Sequence, residues 1–490
     1  MRVIFTMAFL WIALLSTAQQ DFNLTFVSNL DYPERCNDIW GYVAPDGTEY
    51  AILGTVEATA VISLADPENP QEVAYIDGET STWRDMKSWG EYVYVTTDVG
   101  EDGLLVINMS GAPNNITWEF WQPILTVDGQ SDQLGACHNI YIDENGFAYL
   151  SGCSNINSGG VLIIDVHSNP GQPAYVGAAA GIYSHDNFVR GDTLWSSDIF
   201  AGYFSVQDVS DKTDVFTQSV QTTSSDFTHN AWLSDDGNFL FTTDERPNAF
   251  VDAYDVSDLS DIQFLDSYQP SATAGEGVIP HNTHYKDGFL VTSWYTDGIV
   301  IVDAHRPENL IKVGAYDTFI GPHGGFNGSW GAYPWLPSGL ILASDVQRGL
   351  IVLEPDYVRA CYLEGQVTDA DTGDPINNVT VQLLADEAPE QSTDFMGTYK
   401  TGHATAGTYS VVFNALGYIP QTVEATLVNG EITILNVQLQ SQVPFQLNVN
   451  LINEADNSPI VLGNVVIFDE FNSTSLITNF QGTSSITNFF

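Results

Sequence analysis

The chain has 490 residues, 44% of them hydrophobic and 12% aromatic, which is enough for roughly two to four domains with large cores and excludes a wholly disordered chain. Lys and Arg together number 13 against 62 Asp and Glu, so the formal net charge is −49. This charge argues against binding to nucleic acid or to an anionic membrane surface. The acidic residues are interpreted as a solvated surface, with divalent-cation binding by part of them as the alternative.

Residues 1–18 have the pattern of a secretory signal peptide. Arg2 supplies a positive charge, residues 3–15 form an apolar run that is too short to span a bilayer, and small residues precede a predicted cleavage site before Gln19. A membrane anchor is the alternative interpretation. No later apolar run is long enough for a transmembrane helix, so the sequence predicts a protein that is secreted or displayed on the outer cell surface.

A dipeptide of His followed by Asn or Asp recurs through the middle of the chain at intervals of about 40–50 residues. After each His comes an apolar run, a turn with Gly or Asp-Gly, a second apolar run and, in most cases, an acidic residue. This period and order are typical of the four-stranded blade of a β-propeller. The dipeptides are His138-Asn139, His185-Asp186, His229-Asn230 and His281-Asn282, followed by His323-Gly324.

Alignment on the turn glycines predicts seven units, each with up to four strands. The last unit has no clear fourth strand, and residues 22–30 are predicted to supply it and close the ring. Turns such as Asp236-Gly237 and Asp287-Gly288 supply the positive φ that tight hairpins require. The units are predicted to begin at Asn37, Trp83, His138, His185, His229, His281 and His323.

Four cysteines in an exported chain predict two disulfides. Cys137 and Cys153 flank one predicted hairpin, across which they can face each other. Cys36 opens the repeats and Cys361 closes them, so these two residues are expected to be neighbours in a closed ring. The other pairings of the four cysteines stay open, and a metal site made of thiolates is the alternative.

Several blocks of the repeat region carry a resemblance to a bacterial family. They include Asn37-Asp38-Ile39-Trp40-Gly41, Thr82-Trp83-Arg84-Asp85, Cys137-His138-Asn139, Gly325-Phe326-Asn327-Gly328-Ser329-Trp330 and Arg348-Gly349-Leu350. Over about residues 22–358 the chain is similar to the choice-of-anchor B proteins, which overlap with the LVIVD-repeat propellers. The resemblance implies a secreted or surface-displayed propeller body with variable C-terminal attachments. It implies no settled activity and no catalytic residue.

The pattern changes after Cys361. Alternating strands and Gly turns predict a small antiparallel β-sandwich there. The motifs Gly365-Gln366-Val367-Thr368-Asp369, Gly407-Thr408-Tyr409 and Phe413-Asn414-Ala415-Leu416-Gly417-Tyr418 resemble a carboxypeptidase regulatory-like domain. In that family the domain is a non-catalytic accessory module, related in shape to carbohydrate-binding sandwiches.

The predicted architecture is therefore all-β. A signal peptide at 1–18 precedes an about seven-bladed β-propeller of LVIVD-type repeats at 19–358. A carboxypeptidase regulatory-like, Ig-like β-sandwich follows at 359–441. A similar opening begins at Phe445, and residues 442–490 are predicted to form a partial second sandwich.

The recurring His residues are expected to converge if each lies near one end of the first strand of its blade. Clustered imidazoles suit Zn, Cu or Fe better than Ca or Mg, and three or four of them can hold a metal with one position open. The candidate metal ligands are His138, His185, His229, His281 and His323. Candidate carboxylates for orienting the rings recur after the second strand of the units: Asp98, Asp198, Asp244, Asp297 and Asp345. Further candidate ligand-binding residues are Arg84, His284 and Trp330.

The repeated His has a second interpretation that needs no ligand. A repeat protein reuses one residue where the same local hydrogen bond recurs, so each imidazole then bonds the backbone of a neighbouring blade. Each Asn or Asp likewise caps a turn. Trp330 is interpreted either as packing or as a stacking surface for a sugar or another ligand. Asn37 and Arg84 interrupt the His pattern in the first two units, which restricts a His site to five consecutive blades.

Functions of different classes remain open. The leading hypothesis is a secreted or surface-displayed propeller that binds a protein, a glycan or a small molecule at one face, with the sandwiches as spacers or adhesion modules. The alternative is a metal-dependent hydrolase or oxidoreductase that uses the His cluster at the channel mouth. A purely structural surface protein is the third. The fold alone does not decide between them, whereas convergence of the imidazoles bears directly on the second.

Overall fold

The computed structural model describes residues 21–442, 445–468 and 473–489. The predicted signal peptide lies outside these residues. None of the helices in the described part of the chain is long and apolar enough to cross a membrane. The described chain divides into two compact units, one of residues up to Val302 with Gly314–Tyr357, the other of Asp303–Val313 with residues from Val358 onward.

The first unit is a seven-bladed β-propeller, as predicted. Its first three blades are the antiparallel sheets β2–β5, β6–β9 and β12–β15, and β10 pairs with β11 in the connection between the second and third blades. The strands are β1 (Leu24–Leu30), β2 (Cys36–Val43), β3 (Glu49–Thr55), β4 (Ala58–Ser63), β5 (Gln71–Asp77), β6 (Arg84–Trp89), β7 (Tyr92–Thr97), β8 (Leu104–Asn108), β9 (Thr117–Trp121), β10 (Ile124–Val127), β11 (Gln130–Gln133), β12 (Asn139–Ile142), β13 (Phe147–Ser151), β14 (Leu162–Asp165) and β15 (Ala174–Ala178).

The next three blades repeat the arrangement as β16–β19, β20–β23 and β24–β27. Single 3₁₀ turns lie at Asn157–Gly159 and Ser271–Thr273. The strands are β16 (Asp186–Arg190), β17 (Thr193–Asp198), β18 (Tyr203–Asp208), β19 (Phe216–Thr222), β20 (Thr228–Leu233), β21 (Phe239–Asp244), β22 (Val251–Asp255), β23 (Gln263–Tyr268), β24 (Thr283–Lys286), β25 (Phe289–Trp294), β26 (Gly298–Asp303), β27 (Ile311–Tyr316), β28 (Ser329–Tyr333), β29 (Ile341–Asp345) and β30 (Gly349–Pro355).

The seventh blade closes the ring with a strand from the other end of the propeller. Its order is β28, β29, β30 and then β1, which runs antiparallel to β30 from Leu24 opposite Pro355 to Leu30 opposite Leu350. The Asn29 amide strengthens this edge by donating to the backbone oxygens of Arg348 and Leu350 at 2.6 and 2.7 Å. The predicted closure is confirmed, and it covers the edge that β30 would otherwise leave unpaired.

Sequence chemistry explains why these strands and turns form. The middle strands read as runs of Val, Ile and Leu because both of their faces are buried against neighbouring blades; β26 is buried along its whole length. Asp287 and Gly288, at φ 49° and 87°, join β24 to β25 in the two-residue turn that matches the twist of a hairpin. The predicted Asp-Gly turn is confirmed at this position.

One predicted disulfide is present. Cys137 and Cys153 are bonded across a separation of 16 residues, and both lie in the core between the second and third blades. A cross-link over a loop of this length typically contributes about 3 kcal/mol. Because Cys137 directly precedes His138, the bond also fixes the backbone at the start of the third innermost strand.

The predicted bond between Cys36 and Cys361 is wrong, since both are free thiols. Cys36 begins β2 and is buried in the core between the seventh and first blades, whereas Cys361 lies in the core of the second unit. Burial raises the pKa of the Cys36 thiol to about 12 and that of Cys361 to about 11. The ring is closed by β1, so no cystine is needed at the junction.

The second unit contains a β-sandwich of two four-stranded sheets, as predicted. In one sheet β31 pairs with β34 and runs parallel to β37 and β38; the other has the order β33, β32, β35, β36. Side chains of both sheets, among them Leu363, Val381 and Phe413, share one core. The strands are β31 (Cys361–Asp369), β32 (Thr380–Leu383), β33 (Gln391–Ser392), β34 (Thr398–His403), β35 (Gly407–Asn414), β36 (Gln421–Leu427), β37 (Ile432–Ile434) and β38 (Val437–Leu439).

Four more strands follow the sandwich. They form two separate antiparallel pairs, β39 with β42 and β40 with β41, within the described residues. Their bounds are β39 (Phe445–Asn450), β40 (Asn464–Phe468), β41 (Ser473–Ile477) and β42 (Thr483–Phe489).

Candidate functional site at the mouth of the propeller channel

The innermost strand of every blade is the one that begins with the repeated motif. These seven strands, β2, β6, β12, β16, β20, β24 and β28, pack side by side in a closed cycle around the channel. A β-bulge at the start of β2, β20 and β28 breaks the strict alternation of side chains, so two consecutive residues can face the channel. Three motif positions therefore form three stacked rings of side chains.

The first position forms the mouth ring. Four imidazoles stand in sequence around it, with centroid separations of 4.0 Å from His138 to His185, 4.3 Å from His185 to His229 and 4.4 Å from His229 to His281. The next ring centroid, that of Trp330, lies 5.0 Å from His281. The members of the mouth ring are Asn37, Arg84, His138, His185, His229, His281 and Trp330.

Two imidazoles of the mouth ring face the same carboxylate. Glu245 follows β21 and places Oε2 at 3.7 Å from Nε2 of His229 and Oε1 at 3.9 Å from Nε2 of His281. The Tyr295 hydroxyl donates to Oε1 of Glu245 at 2.7 Å. On its other side, His281 Nδ1 lies 2.6 Å from the backbone oxygen of Trp330. A potential ligand atom from each of His229, Glu245 and His281 lies within 4.8 Å of the others.

Burial keeps these imidazoles neutral. Desolvation, and then neighbouring imidazoles, lower the pKa of His229 and of His281 to about 3 and hold the pKa of His185 well below its usual range. A hydrogen bond to the backbone of the same motif position in the next blade opposes this lowering at each ring: His229 for His185, His281 for His229 and Trp330 for His281. His138 lies nearer the surface, and its Nδ1 is 3.2 Å from Oδ1 of Asp98. Neutral imidazoles carry the lone pair that a metal or a hydrogen-bond donor requires.

The second motif position forms a middle ring of Asp and Asn. Asp85 accepts hydrogen bonds from Asn139 Nδ2 at 2.6 Å and from the backbone of Ile140 at 2.9 Å, and it pairs with Lys87 at 2.7 Å. Burial and the nearby Asp85 charge raise the pKa of Asp186 to about 6. The ring members are Asp38, Asp85, Asn139, Asp186, Asn230, Asn282 and Gly331.

The fourth motif position forms an aromatic floor. Trp335, from the loop after β28, packs across the ring with centroids 5.0 Å from Trp232 and 5.7 Å from Trp40. These contacts fill the channel at this end, so the space beneath the mouth ring is a blind pocket with room for about two water molecules. The ring members are Trp40, Lys87, Tyr141, Phe188, Trp232, His284 and Tyr333.

The structure brings four of the five predicted His ligands together and places the fifth elsewhere. His323 does not begin the seventh innermost strand; it lies in the long Gly-rich loop before it, with Nδ1 at 3.2 Å from Oδ1 of Asp297. Trp330 occupies the mouth-ring position of that blade. The prediction of His323 as a ring member is wrong because the His was aligned instead of the strand that follows it.

Two further predicted residues have different surroundings from those expected. The Arg84 guanidinium is buried and donates to the backbone oxygen of Thr55 at 2.9 Å and also to that of Glu79, so the first blade uses its hydrogen-bonding capacity. His284 lies in the floor ring, 4.7 Å from Trp232 between ring centroids, and burial lowers its pKa to about 3. Arg84 nevertheless lines the pocket beneath the mouth ring together with the four imidazoles.

Three of the five carboxylates predicted to orient the His rings instead stabilise turns and strand ends. Asp198 accepts from the hydroxyl of Ser196 at 2.6 Å, and Asp345 accepts from two backbone amides of the turn that follows it. Asp244 accepts from the Thr223 hydroxyl and from a backbone amide of the preceding loop, both at 2.6 Å. The other two, Asp98 and Asp297, lie 3.2 Å from His138 and His323. His229 and His281 instead meet Glu245, one residue after Asp244, which the sequence signals only as an acidic doublet at a strand end.

The middle ring gives stability a measurable pH dependence. Asp186 binds its proton more tightly in the folded chain, where its pKa is about 6, than at the usual value of 3.8, so wild type loses stability as pH rises from about 4 to 6. We expect the free-energy difference between wild type and Asp186→Asn to shift by about 2–3 kcal/mol in favour of wild type between pH 7.5 and pH 4. Urea denaturation at both pH values measures this shift.

A matched control has the opposite sign. Asp211 is exposed, and hydrogen bonds from Thr213 lower its pKa, so acidification is expected to weaken wild type relative to Asp211→Asn. Equal free-energy differences at the two pH values for Asp186→Asn would contradict the prediction. Asn is a suitable replacement, because it occupies the same ring position in three other blades.

Comparison with known proteins identifies the sandwich. The model of the carboxypeptidase regulatory-like domain matches residues 362–440, so the resemblance predicted for this region is confirmed. No curated protein sequence matches the chain. The similarity to choice-of-anchor B and LVIVD-repeat proteins stays a prediction.

Two solved structures are similar to about two thirds of the chain. One is described as the WD40 repeats of RRP9, with 10% identity, a TM-score of 0.49, and coverage of 69% of this chain and 98% of that one. The other is described as U3-55K, with 9% identity, a TM-score of 0.48, and coverage of 68% and 98%.

Proposed function

We propose that this protein is an exported binding scaffold whose propeller engages a partner protein at the channel mouth. Export is supported by the signal-peptide pattern of residues 1–18 and by the Cys137–Cys153 disulfide, which is typical of oxidising compartments. The sandwich then serves as a spacer or adhesion module. The metal-dependent enzyme alternative first requires a metal at the mouth ring.

One observation carries the proposal: the distribution of exposed apolar side chains over the propeller loops. In the described residues, every large hydrophobic side chain that is exposed in these loops lies on the mouth side, and the loops at the floor side carry none. The mouth-side set is Trp83, Val99, Ile182, Phe200, Ile320 and Phe326. Exposed apolar groups gathered at one end of a domain mark interaction surfaces.

The rim, as we call these six exposed side chains, is continuous with the mouth ring. The Trp83 ring lies 6.4 Å from His138, and Phe326 packs edge-on against Tyr295 at 5.3 Å. Tyr295 in turn bonds the carboxylate of Glu245. The rim mixes aliphatic with aromatic side chains, which suits the apolar centre of a protein interface better than the stacking face of a sugar site. The blind pocket admits only small groups, so a macromolecule binds on the rim itself.

The test compares two double variants, each of which removes two exposed large hydrophobic side chains. Phe200 and Ile320, 75% and 98% exposed, are replaced by Ser on the rim; Phe216 and Phe264, 56% and 53% exposed, are replaced by Ser on outer strands. The immobilised proteins are exposed to the extracellular fraction of the source organism, and retained proteins are quantified. We expect retention at least about 10-fold weaker on the rim variant and unchanged on the outer-strand variant.

Three outcomes would overturn this function. Equal retention by wild type and the rim variant would show that the rim does not bind. Loss of retention by the outer-strand variant would place the interface on the blade edges. Retention that survives protease treatment of the fraction but not glycosidase treatment would make the partner a glycan.

A further inference from the structure

We propose that His229, His281 and Glu245 bind one divalent first-row transition-metal ion, with zinc as the best match. The inference rests on the proposed binding role of the mouth and names the cation at its centre. Two imidazoles and one carboxylate are the protein ligands found in zinc sites that keep a further position for water. Oxygen-seeking cations such as Ca²⁺ and Mg²⁺ would find only one suitable side chain here.

The hydrogen bond of His281 carries the argument. The backbone oxygen of Trp330 can only accept, so Nδ1 of His281 at 2.6 Å must hold the proton. In the neutral ring the lone pair then lies on Nε2, which faces the carboxylate of Glu245 at 3.9 Å. A lone pair and an anion that face each other in a buried site repel unless a cation lies between them. His281 is only 4% exposed, so solvent offers little relief.

The second imidazole completes the same arrangement. His229 is 3% exposed and directs Nε2 towards the other oxygen of Glu245 at 3.7 Å, which is beyond hydrogen-bonding distance. Ligands at about 2.0–2.1 Å from a tetrahedral zinc ion lie about 3.4 Å apart. The separations of 3.7 and 3.9 Å exceed this value by a few tenths of an ångström, and all three ligand atoms lie within 4.8 Å of one another, so side-chain rotations must draw them together around the ion.

Groups behind the ligands hold them in place. The Tyr295 hydroxyl donates to Glu245 at 2.7 Å and leaves the remaining carboxylate lone pairs directed at the imidazoles. The Trp330 oxygen fixes both the tautomer and the plane of His281, and it also accepts from the hydroxyl of Ser293 at 2.7 Å. Such partners of metal ligands typically change affinity by 10–100-fold when they are removed.

Electrostatics favours a cation at this point. The chain carries a net charge of −49, and Asp98, Asp297 and Glu276 lie beside other imidazoles near the mouth. The one cationic member of the mouth ring, Arg84, directs its guanidinium to backbone oxygens of the first blade. An acidic cleft concentrates cations and speeds their entry.

Cobalt(II) titration of the full chain tests the proposal. The purified protein is treated with chelator, dialysed and titrated with Co²⁺, whose visible absorption is strong in four- or five-coordinate sites, and zinc is then added as competitor. We expect saturation at one equivalent and loss of the signal on adding zinc. Glu245→Gln, which keeps an acceptor for Tyr295, is expected to abolish stoichiometric binding, and Tyr295→Phe to weaken it about 10-fold.

His323→Ala is the matched control, since this His lies outside the mouth ring and is expected to leave the titration unchanged. Tryptophan fluorescence establishes that each variant is folded, so failure of a His229 or His281 variant to fold leaves Glu245→Gln as the deciding case. Absence of saturable binding to wild type, or undiminished binding to Glu245→Gln, would overturn the site. The rim variants keep all three ligands, so retention equal to wild type on the rim variant, with intact Co²⁺ binding, would reject only the proposed function. Weakened retention on the rim variant, with no saturable Co²⁺ binding to wild type, would reject only the metal.

Discussion

Replacement of Asp85 by Ala is expected to lower the free energy of unfolding of the propeller by about 3–5 kcal/mol. Asp85 is 4% exposed and accepts four hydrogen bonds: from the backbone of Met86, from Lys87, from Asn139 and from the backbone of Ile140. Its loss leaves three buried donors without an acceptor and the Lys87 ammonium without its anion. The bonds from Asn139 and Ile140 also join the third blade to the second, so their loss is expected to weaken the packing between these blades.

The buried Lys87 provides the diagnostic comparison. Its ammonium lies 2.7 Å from Asp85 and 4.4 Å from the centre of the Trp40 ring, inside the channel. Removing one partner of a buried ion pair is costly, whereas replacing both by neutral groups of similar size is often nearly neutral. The double variant Asp85→Asn with Lys87→Met is therefore expected to recover most of the stability that Asp85→Ala loses.

Tryptophan fluorescence during urea denaturation measures both effects in the propeller alone. Every Trp of the described chain lies between Trp40 and Trp335, so the sandwich contributes no Trp signal. Asp46→Ala is the control, since Asp46 is an exposed turn residue, and it is expected to leave the unfolding midpoint unchanged. A loss below about 1 kcal/mol for Asp85→Ala would contradict the prediction, as would a double variant no more stable than the single one.

Deletion of residues 21–30 is expected to have the other large effect, a loss on the order of 5 kcal/mol or complete failure to fold. Without β1 the backbone of β30 has an unpaired edge, and the buried run from Leu350 to Leu353 is uncovered beside it. Open apolar edges recruit other chains, so the shortened protein is expected to aggregate. The deletion is also expected to disturb the mouth ring, because the seventh blade supplies the Trp330 backbone oxygen that bonds His281.

Soluble yield, size-exclusion chromatography and urea denaturation together measure the outcome. Thr25→Lys places a charge on the exposed side of the same strand, opposite Glu354, and serves as the control that keeps the pairing. A monomeric deletion variant with wild-type stability would show that the propeller folds without β1, which would contradict the role given to this strand. A matched loss of stability in Thr25→Lys would point to the exposed face of β1 instead of its pairing.

Much of the fold follows from local sequence. The blade count, the closing strand and the Cys137–Cys153 bond depend on periodic turns and on the apolar runs between them, and these features report directly on strands buried on both faces. Counting by periodic turns fails where a long loop is inserted before a strand. The loop before β28 contains a His near the expected spacing, and only the strand itself shows that Trp330 has the ring position. The Cys36–Cys361 prediction failed because it assumed that chain ends close the ring covalently.

The site is less accessible to such reasoning than the fold. Sequence spacing identifies four imidazoles that meet, since equal positions in successive blades share one height on the channel. It does not tell which residue of the acidic doublet Asp244-Glu245 turns inward. Asp244 is the last residue of β21 and bonds the preceding loop, whereas Glu245 lies just beyond the strand and is free to turn towards the rings. Which of the two residues turns inward therefore depends on the exact residue at which β21 ends.

The pairing of β1 with β30 also sets the timing of assembly. Leu24 pairs with Pro355, so β1, an early strand of the chain, can pair only after nearly the last residue of the propeller has been synthesised. At about 5–20 residues per second, translation takes roughly 20–70 s to reach that residue. Contacts so distant in sequence make closure a late and slow step in folding. Six blades can form in order as the chain emerges, and the seventh is completed only when the two ends meet.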